Sequence, residues 1–338
     1  MEVMPRMPFT ITKKKKSYSS NKTKTLLENG EVKLVDEQFL ASHPTPIIDR
    51  LTVTITIHDP EEALGYVACH SACAENPSFR PANRSKGYSR AYRIALPSIV
   101  DATKWPFYEF RWGEQGVTRV RLDLIPADLG KDGLAELNDE LWKLFYGGWE
   151  YIYHRGKVSR IDIAVDFPQL EMNQIFLLPQ QGLTTKQFSS SGKLETVYLG
   201  KSKGNYTAVY SRKAKRIAQK KPWKGKAGIR AERRLKNQKL WLKDIENLAC
   251  PFANLQGISQ QLDKPKFEKK AYFWEYFKDS LAARGLPAAL ALLPQGKRTQ
   301  YRKYLKTEAP SLWDFDEIWS RWKVPASALR PIDETGFF

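Results

Sequence analysis

Three short segments hold residues that could do chemistry together. Ser159-Arg160-Ile161-Asp162-Ile163-Ala164-Val165-Asp166-Phe167 alternates polar and apolar positions, so a strand would put Arg160, Asp162, Ala164 and Asp166 on one face. Thr196-Val197-Tyr198-Leu199-Gly200 leads to Ala208-Val209-Tyr210-Ser211-Arg212-Lys213, a tyrosine on a strand that enters a run of cations. Ile229-Arg230-Ala231-Glu232-Arg233-Arg234-Leu235-Lys236 adds a carboxylate flanked by arginines. Carboxylates, cations and a tyrosine are the inventory for cutting a phosphodiester with a tyrosine nucleophile and a divalent metal ion, Mg2+ or Mn2+.

Geometry restricts that chemistry. At about 3.3 Å per residue, Asp162 and Asp166 sit roughly 13 Å apart along a strand, too far to grip one ion. A metal site needs a partner from another strand; Glu232 is the natural choice and Asp123, in Arg121-Leu122-Asp123, a third candidate. A network of Asp–Arg pairs on a solvated face accounts for the same acids equally well. A tyrosine attacks phosphodiesters poorly at its free pKa near 10 and needs cations beside it. The chain has 15 tyrosines, and spacing alone gives Tyr210 no claim over Tyr198 or Tyr206.

From Lys193 to Lys236 there are fifteen Lys or Arg residues and only two acids, Glu195 and Glu232. Trp223 and several tyrosines lie among these cations, a mixture suited to phosphate neutralisation and base stacking on single strands. A solvated Lys-rich loop over 213–227 is the plainer alternative. The whole chain agrees with a polyanionic partner: its 338 residues carry 55 Lys and Arg against 37 Asp and Glu, a net charge of +18.

The elements that must position these residues follow from periodicity. Residues 1–46 are polar and basic and read as a flexible arm. Leu51, Val53, Ile55 and Ile57 alternate with threonines as a half-buried strand. A helix is expected over 60–74, then a basic loop through Pro77, Pro81 and Gly87. Strands at 107–112 and 118–125 precede an amphipathic helix at 134–145. The three chemical segments predict strands at 158–167, 195–212 (a hairpin about Lys203-Gly204-Asn205) and 228–235. Helix formers fill 233–249, and helices are expected at 267–283 and 298–306. The mixture, without regular βαβ alternation, predicts an α+β fold: an antiparallel sheet backed by helices over 47–250, then a helical region over 251–338 for DNA binding or dimerisation. No internal repeat stands out at a fixed period.

Several chemistries are absent from the pattern. His43, His58, His70 and His154 form no His-x-His pair, and Cys69-His70 with Cys73 has no second pair to complete four ligands. No phosphate-binding Gly-x-x-x-x-Gly-Lys-Ser/Thr loop occurs. Three cysteines, Cys69, Cys73 and Cys250, point to a reducing compartment rather than a disulfide framework. No stretch nears 18 apolar residues, and the start, with Lys13 to Lys16, lacks the apolar core of a signal peptide, so a cytoplasmic protein without a membrane partner is expected.

The order of the motifs resembles the Rep_trans family, initiators of rolling-circle plasmid and phage replication. The likeness lies in Arg160 to Asp166, Tyr198 to Gly200, Val209-Tyr210 followed by Arg212 and Lys213, and Arg230-Ala231-Glu232. It extends to Leu51–Ile57, to 107–126 and, as a fainter echo, to Gly296-Lys297-Arg298 with Lys303-Tyr304. Ala208 departs from it, standing where the family often has arginine. The resemblance implies that Tyr210 attacks one strand of an origin hairpin, single-stranded near the nick. The products would be a 5′-phosphotyrosyl link and a 3′-hydroxyl primer. Carboxylates among Asp162, Asp166 and Glu232 would hold the divalent ion, with Asp123 the further metal candidate read from the sequence. Arg160, Arg212 and Arg230 would contact the scissile phosphate or pair with the acids, and Lys213, Arg234, Lys201, Lys203, Lys297 and Arg298 are the further candidates for DNA contact. It further implies a homodimer that recruits a host helicase in a bacterial cytoplasm. A conjugative relaxase of an integrative element would use the same chemistry, and a non-catalytic origin-binding protein or repressor would keep only the basic surface.

Overall fold

The computed structural model describes residues 44–178, 185–190, 193–201, 204–223 and 228–331; the basic arm up to residue 43 and Lys203 lie outside them. The β-branched alternation after Pro46 builds β1 (Pro46–Thr56), which buries Ile48, Leu51, Val53 and Ile55. The chain then forms β2 (Phe79–Pro81), β3 (Arg90–Ile94), β4 (Phe107–Gly113), β5 (Gly116–Leu124), β6 (Lys157–Phe167) and β7 (Ile175–Leu178). It continues with β8 (Thr185–Ser190), β9 (Lys193–Gly200), β10 (Tyr206–Ser211), β11 (Ile229–Trp241) and β12 (Gln256–Ser259). Ten of these make one antiparallel sheet in the order β2-β3-β4-β5-β1-β6-β11-β10-β9-β8, while β7 and β12 pair separately. The fold is α+β.

The sheet reads alike from both ends. β1 lies beside β5, followed outward by β4, β3 and β2; β6 lies beside β11, followed by β10, β9 and β8. Two five-stranded sets with one connectivity therefore meet at the antiparallel β1–β6 pair, where Leu51 faces Ile161. The ladder is interrupted twice, at Asp49 in β1 and at Ser159 in β6, and each is a one-residue bulge. Arg50-Leu51-Thr52-Val53 follows the first bulge and Arg160-Ile161-Asp162-Ile163 the second, so the bulges occupy matching places.

Helices Pro126–Trp142, Gly148–Arg155 and Lys323–Ser327 cover one face of the sheet, sealing a core that includes Leu51, Ile161, Ile163, Leu137, Leu141 and Trp322. A smaller core joins β7 and β12 to the helices Ala271–Arg284 and Gln295–Thr307, burying Trp274, Phe277 and Tyr301. The segment after Pro251 thus divides between two cores, because Trp313, Phe315, Ile318 and Trp322 return to the main one. Of the aromatic cluster at 272–277, Trp274 and Phe277 are buried, and only Tyr272 and Tyr276 are strongly exposed.

Two expectations need correction. The helix formers of 233–249 do not make an α-helix: β11 runs on to Trp241, and a 3-10 turn (Leu242–Asn247) follows. Hydrogen bonding to the whole of β6 outweighs the local preference of Arg, Lys and Leu. The loop of 75–93 contains β2 and β3, which extend the sheet at one edge. No helix among the described residues is long and apolar enough to cross a membrane.

The Cys69-His70-Cys73 segment packs rather than binding metal. His70 is buried, its Nδ1 2.9 Å from the Tyr66 carbonyl and its Nε2 2.5 Å from the Tyr108 hydroxyl, with Phe110 and Phe145 edge-on to the ring. Burial pushes its pKa down to about 4, so the native ring is neutral. The unfolded chain binds the proton near pH 6.5 and the native state resists it until about pH 4, so acidification through that window favours unfolding. Between pH 7 and pH 4, urea denaturation should show wild type losing about 3 kcal/mol more stability than His70→Gln.

Candidate active site

The uncovered face of the sheet is a lattice of arginines over carboxylates. At its centre, Arg50 donates to both oxygens of Asp123 (2.8 and 2.6 Å), and Arg121 lies 3.3 Å from the same group. Arg160 forks onto Asp162 and Arg234 Nε reaches it at 3.2 Å. Asp123 and Asp162 are buried beneath these guanidinium groups, each already neutralised. They belong to the Asp–Arg network that was the alternative reading of the sequence, and Asp123 lies in the other half of the sheet from Tyr210.

Tyr210 lies toward one end of this face, on β10, between Thr196 of β9 and Arg230 of β11. Its side chain is buried, and its hydroxyl is held from two sides. It donates to Glu232 Oε2 at 3.0 Å and accepts from Lys215 Nζ at 2.8 Å, with Lys215 3.5 Å from the same carboxylate oxygen. Ser211 caps the helix Arg212–Ala218 by accepting from the Ala214 amide at 3.2 Å, and that cap swings Lys215 back over the Tyr210 ring. The stretch allowed as a solvated loop thus begins as a helix. Burial, then Glu232, raises the phenol well above its ordinary value near 10, against the pull of Arg230. The resting group is a protonated phenol aimed at a carboxylate.

Arg230 anchors the neighbouring acids. It donates twice to Asp166 (2.7 and 2.9 Å) and once to Asp49 at 2.6 Å, while Arg212 lies 3.2 Å from Asp166. Asp49 is the bulged residue of β1, and the bulge turns its side chain toward the second half of the sheet. Burial raises its carboxyl, opposed by Arg230 and reinforced by Glu232. Asp49 and Glu232 thus feel each other's charge, with Arg230 on the first and Lys215 beside the second. Among the described residues no three His, Cys, Asp or Glu side chains converge on one point. An Mg2+-type ion is commonly bound by one or two carboxylates, with water and substrate phosphate in its remaining positions, and Asp49, beside the Tyr210 site, is a carboxylate that could serve as one.

A cleft of about 390 Å³ opens beside Tyr210, lined by Tyr198, Tyr206, Ala208, Glu232 and Arg234 from the sheet and Lys215 and Gln219 from the helix. Ala208 faces Glu232 across the ladder and forms part of its floor, where a longer side chain would fill the space. Phe188, Tyr198 and Tyr206 follow one another edge to face, and Arg234 lies 4.6 Å over Tyr206.

The other residues expected to contact DNA are dispersed. Lys213 is exposed on the helix that carries Lys215, and Lys201 is exposed beyond the far end of β9. Lys297 is 2.7 Å from buried Glu268 in the smaller core, and Arg298 donates to the carbonyls of Leu293 and Ala291, closing the preceding helix. Both therefore have structural partners. Sequence reading missed Asp49 and Lys215. A bulge cannot be read from alternation, and the lysine was one of many in a basic run.

No family model and no curated protein matches this chain.

Removing Arg230 would leave Asp166 and Asp49 facing each other's charge inside a half-buried site. Arg230→Gln should lower stability by about 2 kcal/mol in urea denaturation, and Asp166→Asn in that background should restore part of the loss.

Proposed function

We propose that this protein nicks and rejoins one strand of DNA through Tyr210, as a rolling-circle replication initiator. The observation that carries the reading is the double hold on the Tyr210 hydroxyl: a base on its proton and an ammonium on its oxygen. Tyr210 Oη attacks the scissile phosphorus, and the phenol proton passes to Glu232. The bond to the 3′ oxygen breaks, leaving a 5′-phosphotyrosyl link, and that oxygen takes a proton from solvent to become a 3′ hydroxyl. In rejoining, the 3′ hydroxyl gives its proton to solvent as it attacks the phosphotyrosine, the bond to the Tyr210 oxygen breaks, and Glu232 returns the proton to the phenolate.

Lys215 supports the developing phenolate, and Arg212 and Arg230 supply charge for the scissile phosphate. A divalent ion, which Asp49 would hold while Glu232 stays free to take the proton, would supply Lewis-acid stabilisation of the phosphate when bound. The aromatic row from Phe188 to Tyr206 supports the reading from the substrate side, because bases of an unpaired strand stack on such platforms.

The test is incubation with supercoiled DNA carrying the element's own origin, with Mg2+ or Mn2+, followed by denaturing electrophoresis. Wild type should give open circles and a protein–DNA adduct, and Tyr210→Phe neither, while still retarding the origin fragment. Glu232→Gln should slow nicking by about a hundredfold. If wild type retards the fragment without nicking it, and is indifferent to the metal, the chain is a DNA binder and the catalytic reading falls.

A further inference from the structure

The repeated order of the sheet makes it possible to ask what stands, in the first half, where the second half has its nucleophile. The two bulges and the Leu51–Ile161 contact set the correspondence: Arg50 answers to Arg160 and Thr56 to Asp166. Following the ladders outward, Asp166 pairs with Arg230, which pairs with Tyr210; Thr56 pairs with Arg119, which pairs with Arg111. Arg111 therefore occupies the place of Tyr210, Arg119 that of Arg230, Arg121 that of Glu232, and Ser159 that of Asp49. One site combines three carboxylates with one arginine. Its counterpart, on the same face, has three arginines and no carboxylate.

Arg121 is neutralised by Glu109 at 2.7 Å. Arg111 and Arg119 are not: they face each other directly across β4 and β5, both exposed, and among the described residues neither guanidinium makes a hydrogen bond or ion pair. Like charges in register across a strand pair oppose sheet formation unless an anion lies between them. Arg80 faces Arg93 in the same way across β2 and β3, so the positive charge extends to the sheet edge.

We propose that Arg111 and Arg119 form a phosphate site that grips double-stranded DNA beside the nicking centre, a reading that rests on the chain acting on DNA. Arginines on an open strand surface suit the regular phosphates of a duplex, whereas the stacking platform for unpaired bases lies in the other half. Five strand spacings and ten residues of rise separate Arg111 from Tyr210, on the order of 40 Å along the face. That matches about twelve base pairs of duplex. The two halves would hold the paired and unpaired parts of one substrate.

The test compares the full-length wild type with the Arg111→Gln/Arg119→Gln variant in EDTA. Anisotropy of a labelled 30-base-pair duplex of arbitrary sequence and of a (dT)15 strand would be followed over a salt series. The variant should bind the duplex at least about tenfold more weakly, with a salt slope smaller by about two, and bind (dT)15 within about twofold of wild type. Its melting temperature should equal or exceed that of wild type, since a repulsion has been removed. Unchanged duplex affinity and slope, or an equal loss for both probes, would overturn the proposal. The Tyr210 adduct is read separately. Loss of the adduct with duplex binding still dependent on these arginines would sink only the nicking reading, and an adduct with unaltered duplex binding would sink only this one.

Discussion

The antiparallel ladder between β1 and β6 is the constraint on which the rest of the molecule depends. Leu51 and Ile161 meet there at the middle of a ten-stranded sheet, with Val53, Ile55, Ile163 and Val165 continuing the apolar row beneath them. Without this pairing each half would present a central apolar strand as an open edge. The ladder also fixes the two bulges, and a bulge sends one side chain out of the alternation. That is how Asp49, a residue of the first half, comes to share Arg230 with Asp166 of the second.

The polar face above the ladder obeys a second rule: no carboxylate is buried without a cation. Asp162, 2% exposed, lies between Arg160 and Arg234; Glu109, fully buried, is held by Arg121. Ion pairs of this kind do not add much net stability, since desolvation offsets attraction, but removing one partner is costly. The lattice therefore constrains which residues can change. The two ends of the face differ in balance. Around Tyr210 the three acids Asp49, Asp166 and Glu232 are matched by Arg230, Arg212 and Lys215, whereas base exceeds acid around Arg111 and Arg119.

Much of this was legible in the sequence where it depended on period. Alternation placed Asp162 and Asp166 on one strand face and put Glu232 and Arg230 on another strand, and the mixture of elements indicated an antiparallel α+β sheet. It failed where one residue broke the period or where pairing overrode propensity. The bulge at Asp49 leaves no mark in composition, and Leu235 to Trp241 prefers helix until β6 supplies a partner for its backbone. The repeat leaves little mark in the sequence because its halves differ in what links the strands. Helices at Pro60–Ser71 follow β1, whereas a 3-10 turn and β7 follow β6. Only the short Arg-apolar-polar-apolar phrases at Arg50 and Arg160 survive as a trace.

The state of Tyr210 ties the electrostatics to the proposed chemistry. Burial raises its pKa most, and after burial come the charges of Glu232 and, more weakly, Asp49. Asp49 is also the carboxylate proposed to hold a divalent cation. A cation there would remove part of the charge that keeps the phenol protonated, so on that proposal cation binding and activation of the nucleophile would be coupled electrostatically. Lys215 alone does not suffice, because its ammonium is shared between the phenol oxygen and Glu232. On the proposed reading, such a site would keep the tyrosine, its base and its supporting ammonium in register and would act only once the cation is bound. It would hold the geometry of attack and withhold the charge.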